Sequence, residues 1–281
     1  MRFLLRSSLT ALAVAYAAVM LGSWTRIEGA GMTIPDWPWH PGAIVPAMGN
    51  GTVWEWTHRF LVFVLSPLVA VVVVAAWRER TRPFIGATMH AVASLFVLQV
   101  LLGAATVRLA NSPISVVLHW GTAMAFIATL AAMAVFAKSA LQSERTPSAG
   151  ADARLIGIMS ATAGLAFATM CIGAYVSSSG AGLACVSIPG CAGRAVTYTP
   201  GQFVQMLHRF SAAGTLLAAA AEFCALSDKV PRRMRAIAFT RVRNISFSLC
   251  GGAASAFELE KLRPSVLDCR DFSFARSDPL R

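Results

Sequence analysis

The chain has 281 residues, of which 56% are hydrophobic and only 13% charged, and its mean hydropathy is +0.62. A soluble domain carries about 25% charged residues, so this composition excludes an ordinary soluble globule and points to a polytopic membrane protein. The net charge of +11 does not mark a nucleic-acid binder: the Arg and Lys residues sit between apolar runs and leave no basic soluble face.

A spanning helix needs about 20 mostly apolar residues. Six runs qualify: Leu9–Trp24, Val53–Trp77, Phe84–Val107, Ile114–Phe136, Leu155–Val176 and Phe203–Leu226. The first follows Arg2 and Arg6, the charge pattern of a signal peptide. Its apolar stretch continues to Leu21, past the roughly 7–15 residues of a signal-peptide core, so it is expected to stay as the first helix. Between the runs the charge alternates. Arg2 and Arg6, then Arg78, Arg80 and Arg82, then Lys138, Arg145 and Arg154, then Lys229, Arg232, Arg233 and Arg235 share one side. The other side has only isolated cations such as Arg26, Arg108 and Arg194. The positive-inside rule then predicts a multi-pass protein of the cell inner (plasma) membrane. Both termini are cytoplasmic, and the Gly/Pro-rich loops 25–52 and 177–202 face outward.

The chain repeats itself. Glu55-Trp56-Thr57-His58-Arg59-Phe60 returns as Gln205-Met206-Leu207-His208-Arg209-Phe210, an offset of 150 residues. In the loops ahead of these segments, Gly29-Ala30-Gly31-Met32 returns as Gly180-Ala181-Gly182-Leu183, with Pro38 matching Pro189 and Gly42 matching Gly193 at an offset of 151. Repeated halves commonly place the working site between or within the copies. The expected fold is all-α: a polytopic membrane helical bundle in two pseudo-repeated halves. Residues 1–138 form the first half with four spans, 139–152 a cytoplasmic linker, and 153–226 a second half with two spans. Residues 227–281 are a basic polar tail that does not span. The second half thus looks truncated: either it is short by nature, or the reading frame changes near residue 240.

Three histidines lie just inside the outer ends of their helices: His58, His119 and His208. Imidazoles at one depth on neighbouring helices can hold a haem iron from its two faces. The plain alternative is a histidine that only bonds a backbone carbonyl. Arg59 and Arg209 follow their histidines, about 100° round the helix, where a guanidinium could pair with haem propionates or snorkel to the interface. Glu55 shares a face with His58 at a spacing of three. It is a candidate proton donor and acceptor, or simply an acid at a helix start. Its counterpart Gln205 cannot carry a proton. Cys185 and Cys191 lie in an outward, oxidising loop, which favours a disulfide, with thiol exchange as the alternative. The first copy has Ile34 and His40 there, and His40 reads as a surface residue. His90 reads as structural, and Cys171, Cys224, Cys250 and Cys269 show no metal spacing.

These features together resemble the haem A synthase family. The matching residues are Gly29-Ala30-Gly31 with Pro35-Asp36-Trp37-Pro38, Glu55-Trp56-Thr57-His58-Arg59, Leu118-His119-Trp120, Gly180-Ala181-Gly182-Leu183-Ala184-Cys185 through Cys191, and Gln205-Met206-Leu207-His208-Arg209, over roughly residues 10–235. The resemblance implies a membrane oxidoreductase of eight spans in two halves. It oxidises a methyl group of haem O through successive hydroxylations to a gem-diol, which loses water to give the formyl group of haem A. It implies that His58 and His119 hold the substrate haem O, that Glu55 is the acid/base group, and that His208 is one ligand of an electron-carrying haem b. The Cys185–Cys191 pair is part of the family pattern. Expected partners are haem O itself, a haem O synthase, terminal oxidase assembly factors and the lipid bilayer; the electron donor is not implied. The sequence departs from the family at the counterpart of His119 in the second half, which would fall near position 269; that residue is Cys269, and no histidine follows His208. Two rival readings are a b-type cytochrome that only carries electrons and a truncated, non-catalytic haem-binding remnant.

Overall fold

A computed structural model describes residues 1–37, 45–49, 51–82, 84–143, 153–191 and 199–227. All regular structure among the described residues is helical: α1 (Arg2–Ile27), α2 (Thr52–Trp77), α3 (Ile85–Arg108), α4 (Pro113–Ser143), α5 (Ala153–Ser178) and α6 (Pro200–Ser227), with a single 3₁₀ turn at Ala181–Leu183. Among the described residues, helices α1 to α5 are long and apolar enough to cross a membrane, which makes this a multi-pass membrane protein. The run Phe203–Leu226 forms a helix as well, α6. The linker residues 144–152, the tail from residue 228, and Pro38, His40, Gly42, Gly193 and Arg194 lie outside the described residues, as do the side chains of Cys224, Cys250 and Cys269.

Helices α1 to α4 close a ring. Helix α1 packs on α2 and α4, and α3 packs on α2 and α4. Helices α2 and α4 therefore lie across the ring from each other, not side by side as the neighbour expectation had it. Helix α2 starts at Gly51, whose φ of +83° suits glycine, and a Cβ there would sit 2.6 Å from the Cβ of Ala30. The apolar core fills the end of the ring opposite loop 28–51. It is made by Leu4, Ala11 and Ala15 of α1, Leu65, Val69 and Val72 of α2, Ile85, Met89 and Val92 of α3, and Phe126, Leu130 and Met133 of α4. Towards the loop end this close packing stops. Helix α1 has no buried residue between Ala18 and Thr25, α2 none between Glu55 and Leu65, and α3 none between Val92 and Ala104. His58, Gln99 and His119 stand at this layer.

The described chain falls into two compact units. The first is residues 1–152 with 164–211, and it holds every site residue discussed below. The second contains Ala153–Ala163 of α5 and the part of α6 from Ala212. Its apolar side chains, Leu216 and Leu217 among them, are exposed.

Candidate functional site

His58 stands six residues into α2 and His119 six residues into α4, so the two imidazoles share a depth on opposite helices of the ring. Nδ1 of His58 lies 2.8 Å from the carbonyl of Ala18, on α1. A carbonyl can only accept, so Nδ1 carries the proton and Nε2 keeps its lone pair. Four residues further along α1 is Gly22, where a Cβ would lie 2.9 Å from Cε1 of the ring. Only a residue without a side chain leaves the imidazole this place.

The second half rebuilds that seat. Nδ1 of His208 lies 3.2 Å from the carbonyl of Thr169, on α5, and a Cβ on Gly173 would lie 2.8 Å from its Cε1. Thr169 and Gly173 stand 151 residues after Ala18 and Gly22. His119 has a related seat on α3. Its Nε2 meets the amide nitrogen of Gln99 at 3.3 Å, and a Cβ on Gly103 would come within 3.3 Å of its Cε1. Its Nδ1 is buried without a partner, as is Oε1 of Gln99. Each histidine is thus met by a bonding group and, four residues on, a glycine of the preceding helix. A metal-bound histidine commonly bonds its other ring nitrogen to a carbonyl, which is the arrangement at His58 and His208. The residues fit an axially ligated haem. Among the described residues no cluster of three or more His, Cys, Asp or Glu forms a polydentate metal site.

Glu55 turns toward the loop ahead of α2. Its carboxylate accepts from Thr33 Oγ1 at 2.8 Å, from the Ile34 N–H at 2.9 Å and from Arg59 at 2.6 Å. The Glu55–Arg59 ion pair is buried, with side-chain exposures of 6% and 11%. Arg59 also donates to the carbonyls of Ile34, at 2.7 Å, and Asp36. In the second half, Gln205 Oε1 accepts from the Cys185 N–H, and Arg209 donates to the carbonyls of Cys185, Ser187 and Gly190. Cys185 and Ser187 are the offset-151 counterparts of Ile34 and Asp36, so the repeat extends to individual hydrogen bonds. Gln205 spends its N–H on the Gly182 carbonyl at 2.7 Å. Glu55 has no such donor, and the equivalent Gly31 carbonyl is taken by Asn111 at 3.1 Å. Both arginines are therefore engaged by loop carbonyls. Cys185 and Cys191 are joined in a disulfide with Cα atoms 4.5 Å apart. His90, as expected, bonds its own helix at the Gly86 carbonyl. Cys171 is a free thiol on α5, facing Gly121 of α4.

Sequence reasoning missed Ala18, Gly22, Gln99, Gly103, Thr169 and Gly173. The signal was present for Gly22 and Gly173, which repeat at the loop offset, each on the helix preceding a His-Arg helix.

The sequence matches the family described as Cytochrome oxidase assembly protein (COX15-CtaA) over residues 48–254. The chain belongs to that family. Among its curated relatives, Heme A synthase of Bacillus licheniformis is 31% identical over 203 residues, covering 68% of this chain and 65% of the relative. Heme A synthase of Shouchella clausii is 31% identical over 192 residues, covering 66% of this chain and 62% of the relative. Heme A synthase of Symbiobacterium thermophilum is 29% identical over 222 residues, covering 76% and 72%. The match spans 59–65% of the length of the first four of these relatives, so it spans somewhat under two thirds of each.

Proposed function

We propose that this member of the family is an oxidoreductase of haem A formation, converting a methyl group of haem O to a formyl group. The observation that carries the reading is the thrice-built imidazole seat, which holds His58 and His119 at one depth on opposite helices of one ring and gives His208 the seat of His58. The relatives named Heme A synthase support the same direction.

In this reading residues 1–138 hold haem O as substrate, with His58 and His119 on the iron. Residues 153–226 hold an electron-carrying haem b through His208, with α6 crossing the bilayer beside α5. Bound haem iron supplies the redox chemistry. The chain supplies position, polarity and proton handling. The Ala18 carbonyl fixes the His58 tautomer, so that Nε2 keeps the lone pair that would bind iron. Arg59 and Arg209 hold their loops and would supply positive charge for haem propionates. Glu55 takes or gives a proton at its carboxylate from within the Arg59 pair. The cytoplasmic placement of both termini, the haem O synthase as supplier and oxidase assembly factors as recipients belong to the same proposal.

One observation favours a second reading, a carrier of electrons only: the Glu55 carboxylate is already engaged by Thr33, Ile34 and Arg59. One experiment separates the two. The full chain is expressed with haem O, and extracted pigment is examined for the formyl product. The enzyme makes it, and Glu55→Gln abolishes it while the Soret band stays. A carrier makes none with either protein. A Soret signal from the first half that persists in both His58→Ala and His119→Ala overturns both readings.

A further inference from the structure

We propose that Gln99 is a positioning residue that keeps the ligand nitrogen of His119 engaged, so that His119 is a releasable iron ligand while His58 is a fixed one. This rests on the reading that these two histidines hold the substrate haem.

The three seats differ in which ring nitrogen they use. In His58 and His208 the seat grips Nδ1, by a main-chain carbonyl, so that Nε2 keeps its lone pair. In His119 the seat grips Nε2, by a side-chain amide. The gripped nitrogen is unavailable to iron whichever way the amide lies. With its N–H toward the ring, it uses the Nε2 lone pair. Turned over, its oxygen accepts a proton that Nε2 must then carry. The other nitrogen, Nδ1, is buried without a partner, and it adjoins the ring carbon that bears Cβ, so a porphyrin bound there would run into the residue's own helix. His119 therefore binds iron by exchanging Gln99 for the metal at Nε2. Gln99 Oε1 is itself buried and unpartnered, so the amide has an unmet bonding need that holds it in competition. A main-chain carbonyl cannot let go without moving a helix; a side chain on two or three rotatable bonds can. The asymmetry suits a porphyrin that is substrate in this half and must depart as product, in contrast to the fixed grip His208 gives in the other.

The test uses the full chain carrying His208→Ala, so that only the first-half site is read, loaded with ferric protohaem. Spin state is followed by electron paramagnetic resonance, and haem release by transfer to apomyoglobin. Gln99→Leu removes the competitor and carries no atom that could itself bind iron. It should raise the six-coordinate low-spin fraction and slow release by about three- to tenfold, the worth of one hydrogen bond. Gln99→Glu strengthens the grip on an Nε2 proton and should shift both readouts the opposite way. A packing effect would move both variants in the same direction, which overturns the proposal. So does a pair of variants that match the parent while His119→Ala lowers the low-spin fraction. If His119→Ala also leaves spin state and release unchanged, what fails is the underlying assignment of His119 as ligand.

Discussion

At the start of α2 a carboxylate accepts the main-chain N–H of Ile34; at the start of α6 an amide oxygen accepts that of Cys185. The arginine one turn later holds the following loop carbonyls in both halves. What the two junctions share is a set of hydrogen bonds. What they do not share is charge. Arg209 is held by three carbonyls, and no acid is among its described partners. Glu55 brings to the same bonding pattern a negative charge that Gln205 does not carry. The second half differs in one more respect: its loop is closed by a disulfide, where the first half buries Ile34.

The comparison breaks most visibly at the buried acid. Glu55→Ala takes the carboxylate from the buried Arg59 pair, and should cost about 3 kcal/mol, the low end for a broken buried pair. Gln205→Ala strands one N–H and one carbonyl and should cost about 2 kcal/mol. Unfolding of the detergent-solubilised protein measures both, and a Gln205→Ala loss equal to or larger than that of Glu55→Ala would end the claim that the junctions differ by a charge. Glu55→Gln should lie well below either, because Gln205 already makes the same main-chain bond.

The glycine seats sharpen the likeness between halves. Gly22→Ala and Gly173→Ala each put a methyl group under 3 Å from an imidazole carbon, and should cost about 1–3 kcal/mol with matching losses of bound haem. Gly103→Ala, with 3.3 Å available, should lose least. Haem content per protein, read from the Soret band, checks the order.

The smallest effect lies at the turn between α2 and α3, where Glu79 pairs with Arg82 in a partly exposed contact. Burial there works against ionisation, but hydrogen bonds from Arg82 and the N-terminal ammonium outweigh it, and the Glu79 carboxyl titrates below its ordinary 4.5. A depressed folded-state value means this contribution is intact above that ordinary value and is lost as pH falls through the lower one. Exposed pairs contribute 0–1 kcal/mol, roughly. Acid unfolding of Glu79→Gln should lose this small slope, and an unchanged profile would show that the pair carries no stability.

Sequence by itself determined the helices, the repeat and the identity of the three histidines. The bounds of α2 and α3 fall within one residue of the apolar runs, because a run long enough to span must be helical to satisfy its backbone in lipid. Helix α1 begins at Arg2 and α4 ends at Ser143, beyond their apolar runs, because helical hydrogen bonding continues through polar residues that hydropathy counts as breaks. The direction in which Glu55, Arg59 and Arg209 point was open in the sequence, since a helix position fixes a face but not which loop folds back over it. Only the tertiary structure decided that those side chains hold loops, that α2 and α4 stand across the ring, and that His119 is gripped at the nitrogen its counterparts leave free. Those outcomes depend on contacts between helices distant in the chain, where a glycine's missing side chain or a single amide sets the position of a ring.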